Sequence, residues 1–227
     1  MKKVVEFDSV EQWQSYRRQK TIRELGEGSE GICYLGKDGK AYKDFSISGF
    51  MADEYLVNDV ITTDDVFTKS FVLPDTVFAV NNRVVGYTSF CVPRDYFDYK
   101  YMFMNGIDHI DFDKLIAAYG NLYNDALVLA NAGIRIFDLS YNVMFDGENL
   151  YGIDTCGYTK TNGNVEAHNI ACVASALKDL FSTYAVATYN DELNKNMEVI
   201  PFLTMVERKY KTVIPREKEK KPYTKKY

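Results

Sequence analysis

The residues between Gly133 and Asp154 combine acids and an amide in a spacing that suits metal chemistry. Asp138 and Asn142 lie in a loop, and two short predicted strands joined by Asp146-Gly147 follow and end at Asp154. Because a tight hairpin reverses the chain, it returns Asp154 to the level of Asn142, so two carboxylates and an amide oxygen meet at one mouth. Such oxygen ligands suit Mg²⁺, which binds carboxylates together with phosphate oxygens. The alternative is that Asp146-Gly147 is an ordinary turn and that the acids only cap loops.

A second pattern, Gly-x-Gly-x-x-Gly, is formed by Gly26, Gly28 and Gly31 between two predicted strands. No helix is predicted to follow it, which excludes the dinucleotide-binding interpretation, since that requires a strand followed directly by a helix. A strand–loop–strand flap fits instead, and its backbone could approach phosphate groups because three side chains are missing. The alternative is a hairpin that uses glycine for its own backbone geometry.

Lys43 lies on the next predicted strand, 12 residues after Gly31, and is expected to point beneath the glycine flap. A helix predicted over residues 50–61 carries Glu54 within an apolar stripe formed by Phe50, Val57 and Ile61. A carboxylate on a buried stripe is costly unless a cation pairs with it, so Glu54 is the expected partner of Lys43. Two alternatives stay open, namely a solvent-exposed Lys43 and a helix rotated so that Glu54 faces water.

The elements that must position these residues change character along the chain. A helix capped at Asp8-Ser9 is predicted first, followed by strands over 21–25, 32–35, 41–45, 77–80 and 84–90. From residue 110 the apolar period becomes helical, with helices predicted over 112–127, 167–181 and 202–210. Asp111 is the expected cap of the first of these, and Gly133 lies just beyond its end. We therefore divide the chain into strand-rich residues 1–92, helix-rich residues 93–214 and a basic tail, 215–227, with a ligand cleft between the first two.

Taken together, the glycine flap, the strand lysine and the Asp138–Asp154 segment resemble the protein-kinase-like superfamily over about residues 22–158. The resemblance implies an α+β, two-lobed protein-kinase-like fold with a small antiparallel-sheet N-lobe and a reduced helical C-lobe. It also implies that ATP and Mg²⁺ are the cofactors. The three glycines would cover the phosphates of ATP, and Lys43 paired with Glu54 would hold the α- and β-phosphates.

The same resemblance assigns roles to the remaining candidates. Asp138 would accept the proton of the substrate hydroxyl and, with Lys43, would be a catalytic residue. Asn142 and Asp154 would hold the metal ions. Phe90 and Val92 lie in the segment that would act as a hinge and receive adenine through backbone groups.

Several positions depart from the pattern of the superfamily. Three residues separate Asp138 from Asn142 where four are usual, and one missing residue shifts a loop by up to about 3.5 Å. Phe137 replaces an arginine, and Ser140 replaces a lysine that often assists the γ-phosphate. Asp154 opens Asp-Thr-Cys-Gly instead of Asp-Phe-Gly, and the short remainder has no Ala-Pro-Glu element. These departures indicate a compact, bacterial-type relative with little surface for docking peptides.

The expected function is an ATP- and Mg²⁺-dependent phosphotransferase that transfers the γ-phosphate to a hydroxyl, with protein Ser/Thr favoured over a small molecule as the acceptor. The shortened loop between Asp138 and Asn142 motivates a second hypothesis, an inactive nucleotide-binding pseudokinase that serves as an interaction module. Transfer of AMP is a third alternative, which no residue favours.

Composition and charge limit the classes of protein to which the chain can belong. Four widely spaced Cys without a Cys-x-x-Cys pair, together with two His, argue against a disulfide scaffold and a structural zinc site. No segment resembles a signal peptide or a membrane span, so we expect a cytoplasmic protein. Residues 207–227 carry nine Lys or Arg and three Glu, whereas the rest of the chain is acidic, which argues against a nucleic-acid partner. The basic tail is either a solvated, frayed end or a segment that docks a partner.

Overall fold

The computed structural model describes residues 2–46, 55–93, 96–98, 101, 107, 109–181 and 198–213. Within these residues the chain is a mixed α+β protein with four helices, one six-stranded sheet and two two-stranded sheets. The predicted α+β class is confirmed. The division into two kinase-like lobes stays a prediction, and the basic tail, 215–227, lies outside the described residues.

The six-stranded sheet is built from the first 90 residues. Its strands are β1 (Val4–Phe7), β2 (Thr21–Glu27), β3 (Ile32–Gly36), β4 (Ala41–Asp44), β5 (Thr76–Val80) and β6 (Arg83–Ser89), in the order β1-β5-β6-β4-β3-β2. All neighbours are antiparallel except β1 and β5, which pair parallel. The prediction of an antiparallel sheet is therefore correct for β2 to β6 and wrong for β1. Sequence analysis missed β1 because it has no local partner, since Val4 lies opposite Val77.

The first helix, α1 (Val10–Lys20), and the turn between β5 and β6 follow local sequence signals. Ser9 caps α1 by accepting a hydrogen bond from a backbone N–H of the first turn, as predicted. Asn81 and Asn82 have φ of 52° and 64° in the two-residue turn, a conformation that asparagine tolerates. Trp13 of α1 is fully buried and stacks on Phe78 of β5 with ring centroids 4.5 Å apart, so α1 covers one face of the sheet.

The helix predicted over residues 50–61 is wrong for residues 55–61, which form turns and one isolated β-bridge. Residues 50–54, the other part of that prediction, lie outside the described residues, and Glu54 is among them. The predicted pairing of Glu54 with Lys43 therefore stays a prediction.

Tertiary contacts explain why residues 55–61 are not helical. Leu56 pairs with Arg83 of β6 in the isolated bridge. The Lys2 ammonium donates hydrogen bonds to three backbone carbonyls of the turn, those of Val57, Asn58 and Val60, over distances of 2.6–3.3 Å. These partners satisfy backbone groups that a helix would satisfy internally, so an apolar period alone did not decide the conformation.

The helices α2 (Phe112–Asn131), α3 (Glu166–Leu180) and α4 (Val199–Val213) confirm the three predicted helical segments. Asp111 caps α2 by accepting hydrogen bonds from two backbone N–H groups, and Gly133 follows the end of the helix with φ of 69°. α2 lies against α3 and α4, and the three helices share a large apolar core. None of the described helices is long and apolar enough to cross a membrane.

Four short strands connect α2 to α3 and carry the predicted metal-binding segment. β7 (Ile134–Arg135) pairs with β10 (Thr159–Lys160), and β8 (Val143–Phe145) pairs with β9 (Leu150–Gly152). The predicted hairpin is confirmed, and Gly147 in its turn has φ of 97°, which favours glycine. Backbone hydrogen bonds join Gly152 of β9 to Ser70 and Val72. The segment before β5 is thereby tied to the hairpin.

Candidate functional site

Lys43 lies on the central strand β4 and faces away from α1. Its neighbours Tyr42 and Asp44 point to the other face, where Asp44 accepts a hydrogen bond from Trp13. The Lys43 ammonium lies 3.2 Å and 3.3 Å from the two carboxylate oxygens of Asp154, and only 6 % of the Lys43 side chain is exposed. Burial disfavours the charge of Lys43, but Asp154, Cys33 and Glu30 together outweigh burial, and the pKa of Lys43 is raised overall.

Asp154 is positioned by the residues on both sides of it. It follows β9, adopts a left-handed conformation with φ of 58°, and opens a single 3₁₀ turn (Thr155–Gly157). Thr155 is fully buried, and its hydroxyl donates to the Val72 carbonyl at 2.8 Å. The turn is therefore held against the segment before β5, which places the Asp154 carboxylate at Lys43.

Asn142 lies beside Asp154, as the hairpin pattern predicted. Val143 is opposite Gly152 in the β8–β9 ladder, and Ile153 N donates to Asn142 O at 2.9 Å. The side-chain amide nitrogen of Asn142 donates to the Asp138 backbone carbonyl at 2.8 Å, which leaves the amide oxygen out of that bond. The same side chain therefore ties the loop of Asp138 to the hairpin that carries Asp154.

The donor chemistry of Asn142 and Asp154 fits Mg²⁺, which takes few protein ligands and fills its shell with water and phosphate oxygens. Among the described residues, no group of three or more His, Cys, Asp or Glu side chains is arranged to hold a metal ion. An ion at this place would therefore depend on oxygen atoms of a bound ligand in addition to those two residues.

Asp138 is exposed at the start of a tight loop with unusual backbone geometry. It has φ of 48°, and Tyr141 in the same loop has φ of 65°. Non-glycine residues with positive φ store backbone strain and are common in loops that present functional groups. The loop has three residues between Asp138 and Asn142. It turns at the two residues with positive φ, and the Asn142 N–H donates a hydrogen bond to Leu139 O at 3.0 Å.

Asn169 of α3 supports this loop and was not among the predicted site residues. It is fully buried, its amide oxygen accepts from Ile136 N at 3.0 Å, and its amide nitrogen donates to Ile134 O at 2.9 Å. A sequence signal was present, because Asn169 lies on the same helical face as the buried Val173 and Leu177. A polar residue on such a face needs hydrogen-bond partners.

The three glycines of the flap have different structural environments. A Cβ atom at Gly31 would clash with the Asp44 carbonyl oxygen, so the close approach of the residue before β3 to the end of β4 requires glycine there. A Cβ atom at Gly26 would meet no described atom within 4 Å, and one at Gly28 would touch only Gly31 O at 3.9 Å. None of the three has positive φ. Steric contacts in the fold therefore require glycine at position 31, whereas no steric contact among the described residues requires glycine at positions 26 and 28.

Glu30, another residue that sequence reasoning did not single out, lies within the glycine flap and approaches the same site. The Tyr55 hydroxyl donates to its carboxylate at 3.3 Å. Burial raises the pKa of Glu30, and the negative charges of Asp154 and Asp138 raise it further, while Lys43 lowers it. No motif marked Glu30, since its position depends on the folded flap.

The predicted hinge residues Phe90 and Val92 follow β6. Phe90 is half-exposed, and its ring centroid lies 5.7 Å from that of Tyr151. Phe90 also lines a cavity of about 860 Å³ between the β3–β4 turn, residues 63–75, α2 and the β8–β9 hairpin. Of the predicted site residues that the structure describes, Phe90 alone lines this cavity, so the cavity lies apart from Lys43, Asp138 and Asp154.

The sequence was also compared with known proteins. No protein-family model matches it, and a search of the curated proteins finds no match.

Proposed function

We propose that the protein is an ATP- and Mg²⁺-dependent phosphotransferase of the protein-kinase-like type, acting on a hydroxyl group. The observation that carries the proposal is the ion pair between the buried Lys43 and the partly exposed Asp154, 111 residues apart in sequence, next to the hairpin that carries Asn142. Burying the Lys43 ammonium is costly, and an ion pair of this kind is often no more stabilising than apolar side chains of similar volume, which favours a functional role.

In this proposal each residue has one task at the phosphates. Lys43 would bind phosphate oxygens as a fixed cation, and Asp154 and Asn142 would hold Mg²⁺. The metal would neutralise charge on the phosphates when bound. Gly26 and Gly28 would let the flap backbone approach them, in agreement with the open space at both positions.

Asp138 would orient the acceptor hydroxyl and accept its proton. Its carboxylate is exposed, so an acceptor can reach it, and Asn142 and Asn169 hold the surrounding loop. We propose protein Ser/Thr as the acceptor first and a small-molecule hydroxyl second.

A nucleotide-binding protein without transfer activity is the second candidate function. The observation in its favour is the side chain of Asn142, which is bonded to the Asp138 carbonyl within the shortened loop. If that bond persists with ligand, Asn142 stays fixed to the shortened loop, and a loop position unsuited to the metal would weaken the stabilisation of charge during transfer.

The two candidates are separated by a transfer assay with γ-radiolabelled ATP and Mg²⁺, using generic protein acceptors and a panel of small hydroxyl compounds. We expect transfer by the wild type and a loss of roughly 100-fold or more in Asp138→Ala and Asp154→Asn, the size typical of removing a general base or a metal ligand. Asp113→Ala, which removes an exposed acid of α2, should retain activity.

Binding of ATP is measured in parallel by calorimetry. Binding with Mg²⁺ but without transfer to any acceptor would support the non-catalytic candidate instead. Failure of the wild type to bind ATP with Mg²⁺ would overturn both.

A further inference from the structure

Ile136 lies two residues before Asp138, and both of its backbone polar groups contact side chains of α3. Its N–H donates to the Asn169 amide oxygen at 3.0 Å, and its carbonyl oxygen lies 2.9 Å from His168 Nε2. Ile136 is fully buried, and a buried backbone carbonyl needs a hydrogen-bond donor. The contact with His168 therefore requires a proton on Nε2.

Arg135 competes for the same nitrogen of His168. Its Nε atom, which always carries a proton, lies 3.2 Å from His168 Nε2, and this contact requires a lone pair on Nε2. One nitrogen of a neutral imidazole is either a donor or an acceptor, so the two hydrogen bonds exclude each other. With its proton on Nε2, His168 binds Ile136 O, and with its proton on Nδ1 it accepts from Arg135.

The other polar neighbour of His168 does not decide between these two states. Cys172 Sγ lies 3.4 Å from Nε2, burial raises the pKa of the Cys172 thiol, and a thiol donates as well as accepts. On β10, which pairs with β7, Lys160 lies opposite Ile134. The charged and titratable side chains in contact with His168 are thus Arg135 of β7 and Cys172 of α3 among the residues that the structure describes.

Proton uptake by His168 would end the competition. An imidazolium carries a proton on both nitrogens, so it donates to Ile136 O and accepts nothing from Arg135. Its bond to the carbonyl is charge-assisted and therefore stronger, and the Arg135 guanidinium then faces a second positive charge. Histidine side chains commonly change charge between pH 5 and 8, so this exchange falls in an accessible range of pH.

We propose that His168 is a positioning residue that holds the loop of Asp138 through Ile136 O, and that Arg135 weakens this hold unless His168 takes up a proton. The inference rests on the proposed function, because it concerns the orientation of Asp138. Asn169 holds the Ile136 N–H independently of pH, whereas the bond to the Ile136 carbonyl depends on the proton of His168.

The position of the proton is measured by NMR on the full-length protein labelled with ¹⁵N-histidine, at pH 8 and pH 5. The chain has two histidines, so the exposed His109 is an internal reference. At pH 8 we expect Arg135→Ala to shift the His168 Nε2 signal toward the protonated state. The matched control Arg18→Ala, which removes an exposed arginine of α1, should leave that signal unchanged. At pH 5 both His168 nitrogens should be protonated with or without Arg135.

The effect on Asp138 is measured by transfer assays between pH 5.5 and pH 8. His168→Phe should lower kcat roughly tenfold and leave the KM for ATP near that of the wild type, because a misplaced group slows the reaction without weakening nucleotide binding. His168→Gln should retain most of kcat, since its amide donates to Ile136 O without a change of protonation. The ratio of the wild-type kcat to that of His168→Gln should fall as the pH rises, and His109→Gln should match the wild type throughout.

The proposal is overturned if Arg135→Ala leaves the His168 nitrogen signals unchanged at pH 8, or if His168→Gln loses as much kcat as His168→Phe. If His168→Phe fails to fold, Arg135→Ala and the pH dependence of the ratio for His168→Gln decide instead, and a ratio independent of pH counts against the proposal. A wild type that transfers no phosphate while Arg135→Ala shifts the Nε2 signal would overturn the proposed function and leave the competition between Arg135 and Ile136 standing.

Discussion

Asp44 shows how a charged side chain is stabilised inside the sheet region. It is fully buried and receives hydrogen bonds from four donors, which are Trp13 Nε1, Arg17 Nε, Ser46 N and Ser46 Oγ. Arg17 is also buried and lies 4.0 Å from the centre of the Tyr34 ring. These contacts attach α1 to the strand of Lys43, on the face opposite the candidate site.

Replacing Asp44 by Ala should destabilise the protein by about 3–5 kcal/mol, because the buried Arg17 guanidinium loses its partner. The free energy of unfolding in urea measures this loss. The double variant Asp44→Ala/Arg17→Met should recover part of it, since no unpaired charge is left.

Glu24→Ala, which removes an exposed acid of β2, is the control and should change stability by less than about 0.5 kcal/mol. A loss below about 1 kcal/mol in Asp44→Ala would contradict the proposed importance of the pair.

At the scale of elements, the buried Asn169 connects α3 to the loop of Asp138. The Asn169 amide bonds to Ile134 and Ile136, which lie in and just after β7, and also donates to Ala126 O of α2 at 3.4 Å. Three elements therefore meet at one buried amide. Ile136, whose N–H this amide binds, lies two residues before the exposed Asp138.

The variant Asn169→Ala should lose about 2–4 kcal/mol of unfolding free energy, because it leaves the Ile136 N–H and the Ile134 carbonyl without their side-chain partner. Thermal and urea unfolding measure the loss. Asn131→Ala, at the exposed end of α2, should be close to the wild type. Equal stability of the two variants would show that the Asn169 bonds make no net contribution.

At the scale of the whole molecule, the six-stranded sheet and the helical region are joined at the candidate site. The Lys43–Asp154 pair crosses this junction, and the bond from Thr155 to Val72 and the backbone bonds of Gly152 attach the segment before β5 to the hairpin. A ligand that binds there contacts groups from both regions, so its binding energy adds to the stability of the folded chain.

We therefore expect ATP with Mg²⁺, at about 100 times its Kd, to raise the stability by about 2.7 kcal/mol. For a chain of this size this corresponds to an increase in Tm of roughly 5–10 °C. Scanning calorimetry with and without ligand measures it. Asp154→Asn should lose most of the increase and Asp113→Ala should keep it, whereas equal shifts in both would contradict the assignment of Asp154.

Most helices and strands could be predicted because their signals are local. Ser9 and Asp111 cap helices, Asn81-Asn82 and Asp146-Gly147 form turns, and each signal lies within a few residues of the element that it ends or starts. The hairpin between β8 and β9 also predicted the neighbourhood of Asn142 and Asp154, because a two-strand register follows from its turn.

Contacts between residues distant in sequence decided the features that could not be predicted. Strand β1 depends on β5, the non-helical conformation of residues 55–61 depends on β6 and Lys2, and the partner of Lys43 among the described residues is Asp154. Glu30 left no signal in the sequence. The place of Asn169 on the apolar face of α3 was a signal, but its partners became visible only in the folded chain. Which distant residues become neighbours depends on how whole elements pack, and the apolar period of one element does not specify the element that covers it.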